Sequence, residues 1–185
     1  PCDVFYYLGW AATIGTGRND TSLQLRNIQY TLDAVDAAHA LGCKRFVGAG
    51  SQAEHGRVEG KISASTPTFP ENGYGIAKLC AGQMSRIRCE QLGMEHIWTR
   101  VLSIYGPCDS PNTMISSTIQ QLLAGEKPAL TAGLQEWDYL YSKDAGLAFY
   151  LLGNTGQSGK VYCIGSGRAT ELKNYIYILR DVIDP

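Results

Sequence analysis

The chain has 185 residues, 44% hydrophobic and 18% charged, with a formal net charge of -1. It is long enough for one domain with a real core, and its charge balance supplies neither a basic footprint for nucleic acid nor a polybasic membrane segment. No apolar run approaches the ~20 residues of a membrane span, and the six cysteines and three histidines show no metal-ligand spacing, so no metal site is expected. Scattered cysteines and the lack of a visible signal peptide fit reduced, buried thiols in the cytoplasm. His55, in a loop just after Ser51, is the one histidine near a candidate site.

In chain order, "CDVFYYLGW" is a continuous apolar run ending in Gly-Trp, which predicts a strand buried on both faces. From Leu23 to Leu41, apolar residues recur at helical spacing (Leu25, Ile28, Leu32, Val35, Ala38), and Gly42 stops the run. "CKRFVGAG" predicts a second buried strand; Ser51 to Asn72, rich in Gly, Ser, Thr and Pro, predicts a loop. Tyr74 to Leu92 predicts a helix closed by Gly93, "MEHIWTRVLSIYG" one long strand, and Thr113 to Ala124 a helix. "EWDYLYS" predicts a short strand, Lys143 to Leu152 a helix, "KVYCIG" a strand, and Thr170 to Val182 a last helix capped by Thr170. This alternation is the mark of an α/β fold: a parallel sheet joined by right-handed crossovers and covered on both faces. Ligands collect beyond the carboxyl ends of such strands, here at Leu8 to Trp10, Ala49 to Ser51 and Ser103 to Gly106.

A nicotinamide cofactor needs a glycine turn that lets its pyrophosphate reach a helix N-terminus. "GTGRND" lacks a third glycine, "GAGSQA" runs into a loop, and "GSGRAT" leaves no room for the rest of a mononucleotide unit; packing explains all three as well. The spacing Tyr74 to Lys78 is more informative, although with eleven tyrosines a Y-x-x-x-K lies near the chance rate, and Tyr139 to Lys143 repeats it. On a helix, residues four apart are neighbours at roughly 5–6 Å between Cβ atoms. At a strand end the same spacing separates them, which makes Tyr139–Lys143 a coincidence. A phenol is a poor base at neutral pH unless a nearby cation stabilises its phenolate. With Lys78 beside it, Tyr74 can exchange a proton with a substrate hydroxyl, and Ser51 at the preceding strand end can hydrogen-bond the same oxygen.

Several ordered segments resemble the extended short-chain dehydrogenases/reductases, in particular the NAD-dependent epimerase/dehydratase family of nucleotide-sugar epimerases, dehydratases and ketoreductases. "CDVFYYLGWAA" resembles the family's fourth strand beside the cofactor; "NIQYT" resembles N-x-x-G-T with Tyr30 at the glycine; "RFVGAGSQAEHG" resembles the strand ending in the active-site Ser or Thr; and "YGIAK" matches Y-x-x-x-K. "RVLSIYGP", "EWDYLYSKDAG" and "YCIGSG" are similar to R-P-x-N-x-Y-G-P, R-D-F-x-Y-V-x-D-x-A and Y-N-I-G-x-G, with Ser103 at the Asn and Trp137 at the Arg. The resemblance implies Ser51, Tyr74 and Lys78 as catalytic residues. It also implies Gly9, Asn27, Tyr74, Lys78 and Val101 at an NAD or NADP cofactor, and Ser51, Ser103, Thr113 and Trp137 at a nucleotide-sugar substrate.

It further implies a partial Rossmann-like doubly wound sheet. Residues 1–106 would be the C-terminal half of the NAD(P)-binding domain, and 107–185 a truncated substrate region interleaved with the last Rossmann strand. The N-terminal βαβ units, glycine turn included, would lie upstream of Pro1. The helices at Leu23–Leu41 and Tyr74–Leu92 would form a homodimer bundle; Ala77, Ala81 and Ser85 would permit close packing there, and ordinary core packing explains them equally well. Family dehydratases place Asp and Glu right after the active-site residue; Gln52 and Ala53 stand there, which disfavours dehydration. The loop is closer to 4-ketoreductases, favoured over 4-epimerases. The alternative is an inert fragment serving as a binding or oligomerisation module.

Overall fold

The structure is a computed structural model that describes residues 2–183; Pro1, Asp184 and Pro185 lie outside it. The described residues divide into two compact units, 2–102 with 147–164 and 103–146 with 165–183.

The first unit is built on four parallel strands, β1 (Val4–Tyr7), β2 (Arg45–Ser51), β3 (Glu95–Val101) and β7 (Val161–Ile164), in the order β1-β2-β3-β7. Helices α1 (Thr21–Ala40) and α2 (Gly73–Gln91) link the first three strands. Asp20 caps α1 by accepting from Leu23 N (3.0 Å), which starts the helix two residues before the predicted Leu23. Gly42 follows with φ 77°, the left-handed conformation a glycine adopts without strain.

One core joins these elements: Val35 and Ala38 of α1, Cys89 of α2, Phe46 of β2, and Cys43 and Met94, with Phe5 and Tyr7 packed against it. Phe5, Phe46 and His96 lie in one register row across three strands, and their rings stack at centroid spacings of 6.0 and 6.1 Å, continued by Trp98 at 6.1 Å. Strand side chains alternate between faces. Arg45, next to Phe46, reaches the opposite face and donates to Gly153 O (2.7 Å) of α4 (Ser142–Thr155). The sheet is thus covered on both sides, as the fold class requires.

Ala77, Ala81 and Ser85 are 3%, 0% and 0% exposed, and Ser85 Oγ sits 2.9 Å from His96 Nε2. Their small size serves packing within the chain, not a dimer face.

In the second unit, β4 (Ser103–Tyr105) pairs in parallel with β6 (Tyr139–Tyr141), and β5 (Glu136–Trp137) pairs antiparallel with β8 (Thr170–Glu171). Helices α3 (Met114–Leu123) and α5 (Leu172–Ile183) pack together. The predicted long strand over 94–106 is two strands in different sheets. Leu102 N closes the first sheet on Ile164 O (2.9 Å), and the next residue begins β4. "EWDYLYS" likewise splits into β5 and β6, and Thr170 is a strand residue instead of a helix cap. The predicted loop after Ser51 opens with one 3₁₀ turn, Gln52–Glu54. No helix among the described residues is long and apolar enough to cross a membrane.

Candidate active site

The site forms at the carboxyl ends of β1 and β2. Ser51 is the last residue of β2 and caps the turn that follows: its Oγ accepts from Ala53 N (3.2 Å) while Glu54 accepts from Ser51 N (2.8 Å). Glu54 is fully buried and also accepts from Trp98 Nε1 (3.0 Å) and Arg100 Nε (3.0 Å), both on β3. An isolated buried carboxylate would be costly; this one is paired and hydrogen-bonded, and it locks the Ser51 backbone to β3.

The start of α2 abuts that turn. Asn72 caps the helix by accepting from Gly75 N (2.9 Å). A Cβ on Gly75 would run into the Ala53 carbonyl, so only glycine lets the two meet. Tyr74, in the first turn, therefore lies close enough to Ser51 for the serine hydroxyl to act on its phenol. Lys78, one turn later and 3% exposed, donates from Nζ to Ala49 O (2.5 Å). Its ammonium stands 4.0 Å from the centroid of the Trp10 ring and 5.9 Å from that of Tyr74.

Burial pushes the Tyr74 phenol above its usual range; the Ser51 hydroxyl and the Arg18 guanidinium pull it back, while Glu54 adds to the rise. Burial also drives Lys78 down to about 7, against the opposing pull of Glu54. The sequence expectation assigned phenolate stabilisation to Lys78. The structure places Arg18 closer, with its guanidinium carbon 4.5 Å from the Tyr74 ring centroid. Arg18 sits in the "GTGRND" stretch, 56 residues before Tyr74, and no local pattern ties the two together.

Two buried amides of α1 hold the loop that carries Trp10 and Arg18. Asn27 pairs with the Ala11 backbone, accepting from its N (3.1 Å) and donating to its O (2.9 Å). Gln24 accepts from Trp10 Nε1 (3.0 Å) and donates to Gly17 O (3.0 Å). Asn27 thus shapes the loop through Ala11, and Gln24, which the sequence did not single out, is its partner. Gly9 leads into the same loop. Val101 lies across from Ser51 in register and beside Ile164 of β7, at the carboxyl edge of the sheet.

His55 is 1% exposed and directed into the protein, its Nδ1 3.3 Å from Pro67 O. Its Nε2 has no hydrogen-bond partner among the described residues, and burial lowers its pKa. It ties down the loop after the turn and stands apart from the Ser51–Tyr74–Lys78 group.

None of the glycine stretches forms a phosphate turn. Gly48 and Gly50 are small because Trp98 and Thr99 of β3 press on them. The amides of Ser166 and Gly167 donate to the Asp138 carboxylate at 2.8 and 2.9 Å. "GTGRND" forms a single 3₁₀ turn, Thr16–Asn19, ahead of α1. The repeat pair Tyr139 and Lys143 falls on β6 and α4, so it is not a one-helix pair.

A sequence model of the NAD dependent epimerase/dehydratase family matches residues 1–165. The chain belongs to that family. It is 30% identical over 150 residues to the low-salt glycan biosynthesis protein Agl12 of Haloferax volcanii, covering 80% of this chain and 48% of that protein. It is 28% identical over 142 residues to the dTDP-D-glucose 4,6-dehydratase of Homo sapiens, covering 76% and 41%. Its fold matches the structure of RMD from Pseudomonas aeruginosa complexed with NADPH, at a TM-score of 0.90 and 22% identity over 98% of this chain and 66% of that one. The chain therefore spans about half the length of the curated relatives it matches.

Of the predicted substrate residues, Ser51 lies in the first unit and Ser103, Thr113 and Trp137 in the second. Ser103 opens β4. Thr113 caps α3, and its hydroxyl donates to Asp109 Oδ2 (2.9 Å). Trp137 is on β5, paired with Thr170, and its carbonyl accepts from Tyr175 OH (3.2 Å). Among the described residues, no group of three or more His, Cys, Asp or Glu is placed to hold a metal ion.

Proposed function

We propose that this chain carries the proton-transfer half of an NAD(P)-dependent oxidoreductase acting on a nucleotide sugar, with 4-ketoreduction favoured over 4-epimerisation. The observation that carries the reading is the buried Tyr74 phenol beside Ser51, with the buried Lys78 ammonium 5.9 Å from its ring centroid. In the reducing direction, Ser51 and Tyr74 hydrogen-bond the sugar carbonyl oxygen, and Tyr74 donates its proton as that oxygen becomes a hydroxyl. The cofactor supplies the hydride when bound.

The donor set suits a cofactor ribose: an ammonium offers three N–H groups, and Lys78 commits one to Ala49 O. Trp10, Gly9 and Val101 would border the nicotinamide, with Asn27 fixing the loop that carries Trp10. Ser103, Thr113 and Trp137 would meet the sugar nucleotide. The relatives include a dTDP-D-glucose 4,6-dehydratase. Here Glu54, the acidic residue of the turn, is spent on Ser51 N, Trp98 and Arg100, and Gln52 and Ala53 precede it. That supports a reaction ending at hydride and proton transfer, without elimination of water.

The test runs this chain in parallel with a longer chain that contains it, each titrated with NAD(H) and NADP(H). Failure of both to bind removes the enzyme reading and leaves the inert binding module. With a nucleotide-linked 4-keto sugar, stoichiometric loss of reduced cofactor marks a ketoreductase; interconversion of 4-epimers without net redox change marks an epimerase. In the active chain, Tyr74→Phe lowers kcat by roughly 10²–10⁴-fold; turnover close to the parent would sink the assignment of Tyr74.

A homodimer through α1 and α2, in the cytoplasm, belongs to the same proposal. Leu25, Ile76, Met84 and Ile87 are 66%, 55%, 44% and 42% exposed on those helices, which supports an apolar contact face. Sedimentation equilibrium is expected to give a dimer, and Ile76→Asp with Met84→Asp a monomer.

A further inference from the structure

Six cysteines are free, and two of them face each other outside the candidate active site. The parallel register Val4↔Arg45, carried two residues back, sets Cys2 opposite Cys43. Strand-to-strand bonding extends as far as Asp3, next to Cys2: Lys44 N and Arg45 N both donate to Asp3 O (2.9 and 3.1 Å), and Lys44 Nζ lies 3.7 Å from Asp3 Oδ1. Adjacent strands run ~4.8 Å apart, within the ~4.4–6.8 Å Cα separation that a disulfide spans. The Cys2 thiol is near enough to act on the Cys43 thiol, and it donates to Val4 O (3.2 Å). Cys2 is exposed, whereas Cys43 is 4% exposed, so a reagent in solution meets Cys2 first.

We propose that Cys2 and Cys43 are a reversible redox pair, oxidised to an intramolecular disulfide by low-molecular-weight organic disulfides. The Cys2 thiolate attacks one sulfur of the reagent, its S–S bond breaks, and one organic thiol leaves as the mixed disulfide forms. Cys43 then loses its proton to solvent, and its sulfur attacks Cys2 and displaces the second organic thiol. Two protein thiols are oxidised by two electrons, and one organic disulfide is reduced to two thiols. Burial raises the Cys43 thiol, which makes the second step slower than the first and more favourable at higher pH. Once formed, the bond staples β1 to β2, the strand that ends at Ser51.

The experiment equilibrates the chain with oxidised and reduced glutathione, quenches with acid, alkylates, and maps the peptides. The expected product is a protein lighter by two hydrogen atoms, with a Cys2–Cys43 cross-linked peptide that dithiothreitol removes and a raised thermal midpoint. Cys108, exposed in the other unit, takes only a glutathione adduct and reports ordinary surface reactivity. Cys2→Ser, at an exposed position, keeps the fold and abolishes the cross-link, while Cys43→Ala leaves Cys2 as a stable glutathione adduct. A Cys2 that stops at the adduct in the unaltered chain, or a cross-link joining other cysteines, overturns the proposal.

Discussion

The two units solve the burial problem differently. The first has a sheet with helices on both faces, and its helices α1 and α2 bury five and eight residues. The second rests on two-residue and three-residue strands, and its last helix, α5, buries none: Tyr177, Ile178 and Val182 are 49%, 59% and 77% exposed. The Ser51–Tyr74–Lys78 group sits wholly in the unit with the deep core. A buried phenol, ammonium and carboxylate need rigid surroundings, because each is stable only while its partners stay in place. The second unit presents its aromatic side chains partly open, as a surface that meets a ligand can.

The contrast can be broken most directly at Arg100. Removing it leaves Glu54 charged and buried without its ion partner, so Arg100→Met is expected to cost ~3–5 kcal/mol in chemical denaturation. A loss below 1 kcal/mol would mean the pair does not hold the site. Phe46→Ala, at the centre of the aromatic row, is expected to cost a similar ~3–5 kcal/mol, while Val182→Ala on α5 stays within about 0.5 kcal/mol. Comparable losses at the two positions would erase the distinction between the units.

A subtler probe is pH. Lys78 titrates at about 7 in the folded chain against an ordinary 10.5, so the unfolded chain binds more protons between those values. Stability therefore rises with pH across that window, and the charged form weighs against the fold below it. Denaturant midpoints at pH 7 and pH 9 should show the rise, and Lys78→Met should flatten it.

Much of this was legible in local pattern. Helical spacing marked α1 and α2, an apolar run marked β2, and Tyr74, Lys78 and Ser51 fell where motif and strand end put them. What escaped was long-range or hidden in continuous apolar sequence. Glu54 finds Arg100 at a separation of 46 residues, and Arg18 finds Tyr74 across 56, which no periodicity encodes. The break between β3 and β4 falls at Leu102, in a stretch without Gly or Pro until Gly106, so the sequence carries no punctuation where the chain changes sheets. The same holds at Thr170, where pairing with Trp137 outranks a capping preference.

The Glu54–Arg100 pair also constrains how this chain can drift. Losing either partner alone strands a buried charge or an unpaired carboxylate beside Ser51, and an apolar residue at 54 would also orphan the Ser51 and Trp98 N–H donors. The two positions therefore change together or not at all. Among natural variants of this chain, a carboxylate at 54 should predict a guanidinium at 100, a correlation written by desolvation rather than by catalysis.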